Sequence, residues 1–581
     1  MNTPDPLEAT DPRQISEHAH LEALLRCWLV ETNTQVTPGR LELPLTAIGA
    51  RLRAEVRYCS PTGWHRFGSV SLVSPDDREF PLEATSAVVL IATEAAVRGG
   101  ARAGGVPTGE ISDLAARTAD SVHRVAGFVA ARRAEPNPPP GTDNFLDAEQ
   151  ALLLGHLCHP APKSRDGISD ADAAAWAPEA RASFALHWFA ADPELVRHDA
   201  VAGAPSLRGM NTAELLAELA GPVDAPAGKV VVPSHPWQAA DLLKRPAVEE
   251  LVRTGRLRPL GPHGPSWWPT SSWRTVYRPD APVMLKLSVG LRITNSRREA
   301  TLTELRRGPE VNRLLDAGYA AATEASYPEF RIVRDPAWLA VHTEAGELTG
   351  LDVAVREVPP GIGELRCLVG LIAPRPGLGP STLATLPAVS KDPAGWVAAY
   401  AARVLVPMLH LYAATGIGLE GHQQNTLVRL APDGGVLGGA FRDNQGYYLA
   451  TSHLPHALAA LGRCDTEQSM LAVVDDATVD ERLSYYLLRN QALAVVGALG
   501  VAGLADERLL LAAMVGALRD ALPALADAGP GGDRLARRWL TAPTLPCKAN
   551  LLTRLHGIDE VIAPLDAQSV YLDAPNPLLA R

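Results

Sequence analysis

Between residues 225 and 380 the sequence reads in short alternating runs, and beyond residue 394 it reads in long Ala- and Leu-rich runs of helical period. A strand shows side chains to two faces in turn, whereas a helix gathers every third or fourth residue on one stripe. A chain written in both periods, in separate blocks, segregates strands from helices, which predicts an α+β protein. The β-like runs are Lys229–Pro233, Thr275–Arg278, Val283–Val289, Val353–Glu357 and Leu365–Ile372. The helical ones include Trp396–Ala414, Glu481–Leu499 and Asp506–Ala526. A mixed block precedes both, with helices over His18–Val30 and Ile111–Arg133 and strands over Leu41–Leu45, Arg51–Tyr58 and Ser69–Val73.

Two proline- and glycine-rich runs, Glu135–Gly141 and Pro374–Pro380, punctuate these blocks. Proline removes a backbone donor and glycine frees the chain from regular conformations, so both runs read as boundaries. At 581 residues the chain exceeds one compact core, and about three lobes are expected: residues 1–140, 141–385 and 386–581. A helix over Phe145–Gly155 resumes the chain after the first boundary. An apolar fraction of 46% and a charged fraction of 20% are those of a packed soluble protein. The net charge of −11 turns away nucleic acid as the main partner. The six cysteines are scattered without a CxxC pair, as in a reduced cytoplasmic protein. Met1–Ser16 is polar and broken by prolines, unlike a secretory leader. The longest uncharged apolar run, Ala492–Ala505, is too short to span a bilayer. A cytoplasmic protein with no membrane contact is expected.

Within Val283–Val289, alternation puts Val283, Leu285, Leu287 and Val289 on one face and turns Lys286 and Ser288 to the other. A nucleotide site uses such a lysine to hold an anionic oxygen; a solvated strand face is the ordinary alternative. The following residues favour the first reading. Arg292–Glu299 reads as a strand end entering a helix, with Ser296 and Glu299 as its capping box and Arg297 and Arg298 in the first turn. Cations there oppose the helix dipole unless an anion is bound. Upstream, Ser272, Arg274 and Thr275 set a guanidinium among hydroxyls. Together these form a polyanion cradle without a Walker A sequence. Gly416, Gly418 and Gly421 match G-x-G-x-x-G, but a helix-like run precedes them and a polar stretch follows, so a dinucleotide fingerprint is rejected.

The acids come in Glu420-Gly421-His422-Gln423-Gln424-Asn425 and then Phe441-Arg442-Asp443-Asn444. Glu, Asn and Asp are hard oxygen ligands of the kind Mg²⁺ takes alongside substrate phosphates. A proline-stiffened loop, Gly155–Gly167, adds His156, His159, Lys163 and Arg165. A zinc set of His156, Cys158 and His159 lacks a further ligand pair at useful spacing, and anion contacts fit better.

In one order the chain carries G-H-x-x-H-P-x-P-K-S-R-x-G from Gly155, S-x-R-T at Ser272–Thr275, K-x(6)-I-T-N-x-x-R from Lys286 to Arg298, E-x-H-Q-Q-N and R-D. Over residues 145–560 it resembles the IucA/IucC family, the NRPS-independent siderophore synthetases of which aerobactin synthetase is the namesake. The resemblance implies that Ser272, Arg274, Thr275, Lys286, Thr294 and Arg298 hold ATP, chiefly its phosphates, joined by Lys163 and one of His156 and His159. It implies Glu420, Asn425 and Asp443 near Mg²⁺, and His422 and Gln424 at the junction of nucleotide and carboxylate substrate. Lys548 and Arg554 match contacts to the substrate carboxylate, with a solvated helix face as their alternative. The implied architecture is a three-part hand of N-terminal thumb, β-rich fingers and helical palm, with ATP between fingers and palm, working as a homodimer. Two positions depart from the family: Leu157 replaces a proline, and Gly421 stands where a small non-glycine residue is common and would loosen the backbone beside His422.

The implied reaction adenylates citrate, a related polycarboxylic acid or its amide, releases pyrophosphate, and passes the acyl group to an amine or alcohol with loss of AMP. Charge neutralisation and positioning would carry it, with Lys286, Arg298 and His422 as the catalytic set. A small-molecule kinase releasing ADP is the competing class, since Asn425 and Asp443 parallel kinase metal ligands; the catalytic Asp expected just before that Asn is missing. A non-enzymatic nucleotide-binding regulator is a third class, which the intact set of charged positions argues against.

Overall fold

The computed structural model describes residues 5–99, 108–294, 296–463, 469–558 and 568–580; Asn295 and Cys464 lie outside them. Helix Pro12–Glu31 starts on an Asp11 cap with proline at its first position. With Ala84–Gly99 and Thr108–Ala134 it packs on an antiparallel meander of Gly39–Leu45, Ala50–Tyr58, Arg66–Val73 and Glu79–Pro81. Leu41, Leu43 and Leu45 are the buried alternates of the first strand.

An eight-stranded sheet follows, in the order Val196–Ala200, Ala337–His342, Leu348–Glu357, Val283–Leu287, Thr275–Tyr277, Leu257–Pro269, Phe184–Ala191 and Val230–Ser234. Its apolar face and helices such as Thr212–Ala220 form a separate buried cluster containing Trp188, Trp267, Leu285 and Val353. The sheet thus begins before residue 225. Two expected elements differ. Leu365–Ile372 is a strand only over Leu365–Cys367 and turns helical over Leu368–Ile372, because a short run buried on all sides has no period to read. The helix expected over Phe145–Gly155 spans only Asn144–Glu149, started by an Asp143 cap.

Residues 393–415 form one rod with a π-helical stretch at Ala401–Leu405. Residues 476–501 form another, with a π-helical stretch at Ser484–Ala492. Pro393–Thr415 and Glu507–Ala528 are long and apolar enough to cross a membrane, yet Val404, Leu411, Met514 and Leu518 lie together in the largest buried cluster. This part of the chain is not purely helical. Thr426–Leu430 and Val436–Phe441 pair with each other and with Leu365–Cys367 and Phe330–Ile332 in a four-stranded sheet. Gly416, at φ 70°, ends a helix and a strand follows it, the reverse of the strand-to-helix turn that binds dinucleotides.

Candidate active site

One cleft of about 370 Å³ gathers every residue that the resemblance implies for the site except Arg554, and Arg165 with them; Arg297, which is exposed, and Cys158 do not line it. A larger cavity, about 890 Å³ near residues 201–206 and 330–334, contains none of them. Chemistry rather than size therefore marks the site.

The cationic side is built by two tight turns. Thr270–Thr275 closes on a Thr270 N–H to Thr275 carbonyl bond of 2.8 Å, with Trp273 at φ 61° and the Ser272 hydroxyl accepting from Thr275 N–H at 3.1 Å. Arg274 is held by the Arg298 carbonyl at 2.8 Å, and burial beside Arg298 pushes its pKa down. Arg298 makes one long bond, 3.4 Å, to the Thr294 hydroxyl. Among the described residues neither arginine has a carboxylate in ion-pair range, and the buried Thr275 hydroxyl has no hydrogen-bond partner. Half-buried cations without anions and an orphaned buried hydroxyl fit an anionic ligand.

The local structure carrying Arg298 corrects the sequence reading. Ser296–Arg298 is a strand, paired with Val289–Ile293 across a turn that puts Thr294 at φ 55°. The helix begins at Leu302, and its capping box is Thr301 with Glu304. Arg298 therefore reaches the cleft from a hairpin and not from a helix N-terminus.

On the acidic side, Glu420–Asn425 connects strands Ile417–Leu419 and Thr426–Leu430. The His422 carbonyl accepts Asn425 N–H at 2.9 Å and Thr426 N–H at 3.1 Å, while its Nδ1 accepts Gln424 N–H at 3.2 Å. That bond puts the proton of the neutral ring on Nε2, and burial lowers the pKa to about 4. His422 is thus a neutral N–H donor near pH 7. Asn425 donates to the Glu420 carbonyl at 3.2 Å, which leaves its amide oxygen as an acceptor. Asp443, at φ 84°, takes Lys286 Nζ at 2.8 and 3.0 Å and lies 3.4 Å from Arg356. Burial alone would raise its pKa, but these two cations hold the carboxyl well below the usual range. Its chain neighbour Arg442 pairs with Glu149 and not with Asp443. Lys286 is likewise no solvated strand residue, being 7% exposed. Gly421 is tight rather than loose, since a Cβ there would sit 2.6 Å from Leu487 and 3.0 Å from Met408.

The Gly155–Gly167 loop brings in the remaining cations. Lys163 and Arg165 both pair with the buried Glu179, Arg165 at 2.7 Å, and Arg165 lies over the Trp273 ring at 5.0 Å. His156 and His159 each accept a backbone N–H on Nδ1, from Cys158 and Ala161 at 3.1 Å, and His156 Nε2 meets the Asn490 amide at 2.8 Å. Among the described residues no three of His, Cys, Asp and Glu come together as a metal-ligand group, so His156, Cys158 and His159 do not form a zinc set. Lys548 lines the cleft. Arg554 does not: it is 1% exposed and joined to Glu110, at 3.0 Å, and Asp113, so it ties the C-terminal part to helix Thr108–Ala134.

Sequence reasoning missed Arg356, Tyr485, Tyr486 and Asn490, which also line the cleft. Arg356 lies one residue from the end of strand Leu348–Glu357, outside any motif, and the other three lie in the π-helical stretch, where helical period carries no signal.

The family model of IucA / IucC matches residues 144–373, and one described as ferric iron reductase FhuF-like transporter matches residues 394–562. The chain is 36% identical over 596 residues to the rhizobactin siderophore biosynthesis protein RhbC of Rhizobium meliloti (strain 1021), spanning 97% of this chain and 98% of that protein. It is 31% identical over 617 residues to the spermidine-citrate ligase of Bacillus anthracis, spanning 98% of each. The solved structure of ATP-bound aerobactin synthetase IucA from Klebsiella pneumoniae superposes with a TM-score of 0.82 at 27% identity, covering 97% of this chain and all of that one.

Proposed function

Because the chain belongs to the IucA/IucC family, we propose that it is an ATP-dependent ligase that condenses citrate, or a related polycarboxylic acid or its amide, with an amine or alcohol in siderophore synthesis. The observation that carries the reading is a single cleft with two half-buried arginines, Arg274 and Arg298, lacking carboxylate partners among the described residues on one side and oxygen ligands with a neutral histidine on the other. The relatives include a protein named for joining citrate to a polyamine and one whose structure holds ATP.

In this reading Arg274, Arg298, Thr275 and Lys286 bind the triphosphate and offset the charge that builds as a substrate carboxylate attacks the α-phosphorus. Pyrophosphate leaves, the nucleophile takes the acyl group, and AMP is released. His422, donating from Nε2, orients the carboxylate. Glu420, Asn425 and Asp443 offer the oxygen donors that Mg²⁺ accepts, and the ion when bound would neutralise phosphate charge. Residues 1–140, 141–385 and 386–581 are read as thumb, fingers and palm in a cytoplasmic homodimer; the buried cluster confined to residues 184–355 supports a fingers region, whereas the largest cluster joins residues 311–383 to the helical region.

A kinase would carry its catalytic Asp a short way before Asn425, five residues ahead in the H-R-D-x-x-x-x-N layout; no Asp stands there, the stretch holding Glu420, His422 and Gln424. The deciding experiment screens carboxylic acids for nucleotide products with hydroxylamine as trap. AMP, pyrophosphate and a hydroxamate are expected; ADP and phosphate would overturn the ligase reading.

A further inference from the structure

We propose that Glu149 is a positioning residue of this reaction, holding the serine-rich turn and the Gln424–Asn425 turn in one frame through a buried fork to Arg442. Glu149 belongs to none of the motifs and ends the short helix Asn144–Glu149. Its side chain is 0% exposed. Oε1 accepts from Arg442 at 2.7 Å and Oε2 at 3.0 Å, so the pair is bidentate. Oε2 also accepts Ser271 N–H at 3.0 Å and the Ser271 hydroxyl at 2.8 Å. On its far side Arg442 donates to the Gln424 carbonyl at 2.7 and 3.1 Å. The Ser271 hydroxyl in turn accepts from Arg442 at 3.2 Å and from the Gln424 amide at 3.3 Å.

Three cleft segments therefore meet on one carboxylate: Ser271 precedes Ser272–Thr275, Gln424 precedes Asn425, and Arg442 precedes Asp443. Stability alone does not account for the arrangement, since an apolar pair of equal volume often packs as well as a buried ion pair. What the fork supplies is direction, because two parallel N–H···O bonds fix a guanidinium in plane and distance. A buried network with its donors and acceptors satisfied is rigid. The fork also consumes Arg442, so this arginine of the R-D motif is a strut rather than a phosphate ligand. The inference rests on the ligase reading for its kinetic consequence but not for its structural one.

The test compares wild type with Glu149→Gln, Glu149→Ala and Arg442→Lys. Pyrophosphate release against ATP concentration gives kcat and KM, calorimetry gives the ATP Kd, and amide hydrogen exchange follows residues 270–275 and 421–426. Gln keeps the volume and one acceptor oxygen, and Lys keeps the charge without the fork. Misplacement of reacting groups by about 1 Å costs on the order of 100-fold. Glu149→Gln and Arg442→Lys should therefore lose about 100-fold in kcat while ATP Kd rises by less, about tenfold at most, since Arg274 and Thr275 belong to the loosened turn but Arg298 and Lys286 stand on strands outside the frame. Exchange in both turns should rise together. Glu149→Gln with wild-type kcat and exchange overturns the proposal, as does a lowered melting temperature with unchanged kinetics. If Glu149→Ala fails to fold, Glu149→Gln decides. If wild type releases no pyrophosphate, the ligase reading fails instead, and exchange alone judges Glu149.

Discussion

Two basic clusters reach the same cleft and differ in what already neutralises them. Lys163 and Arg165 share the buried Glu179, whereas Arg274 and Arg298 hold only neutral acceptors among the described residues. In sequence the two look alike, each a run of cations near hydroxyls and turns. Glu179, at 2% exposed, is sealed from the cleft and leaves its two cations little attraction for a ligand, whereas Asp443, the partner of Lys286, is 24% exposed; Arg274 and Arg298 are therefore the pair most disposed to hold phosphate.

Arg298→Ala tests this most severely. It should lower the adenylation rate about 30- to 1000-fold, about 2–4 kcal/mol of transition-state stabilisation, without unfolding the protein, since one 3.4 Å bond is lost. A soluble variant with wild-type turnover breaks the comparison. Asp443→Asn should cost about tenfold at limiting Mg²⁺, about 1.4 kcal/mol, and recover partly as Mg²⁺ is raised. An unchanged Mg²⁺ titration of AMP release would leave Asp443 as only the partner of Lys286 and Arg356. Glu179→Gln sharpens the contrast from the other side. Removing the shared carboxylate strands two buried cations and should destabilise by about 3–5 kcal/mol, seen in denaturant unfolding, while kcat/KM of the folded protein stays within about threefold, or about 0.7 kcal/mol. A collapse of kcat/KM with stability intact would move Lys163 and Arg165 into the phosphate site.

The smallest effect concerns pH. His422 takes a proton near pH 6.5 when unfolded but only near 4 when buried. Between those values the unfolded chain binds the extra proton, so this group's contribution to stability falls as pH drops from 6.5 to 4 and is complete above 6.5. Melting curves of wild type and His422→Gln across this range should diverge with that slope. The rate should show no histidine inflection between pH 6 and 8.

The two blocks of period and the long helices were legible because they rest on local pattern. The cap before Leu302 was not, for Ser296-x-x-Glu299 and Thr301-x-x-Glu304 spell the same signal five positions apart. Pairing with Val289–Ile293 decided between them, and a strand partner is invisible to a window that reads capping. Most of the residues that line the cleft were readable because they lie in short ordered motifs. Those that hold them in place were not: Glu149 meets Arg442 from 293 positions away, and Arg554 meets Glu110 from 444. In both, burial and a distant carboxylate, not local spacing, set the role.

The π-helical stretch Ser484–Ala492 carries a further implication, for sequence change over generations. A widened turn of this kind holds residues that a regular α-helix of the same span would not need, and Asn490 reaches His156 from within it. Losing one residue there would either let the widened turn wind regularly, re-aiming the side chains within it, or leave the winding as it is and swing one side by about 100° relative to the other. Substitutions along this stretch would reshape the cleft wall one contact at a time. A single-codon deletion would turn Asn490 away from His156 or shift the buried face of Leu493–Val501, so the length of this segment should be held more strictly than its composition.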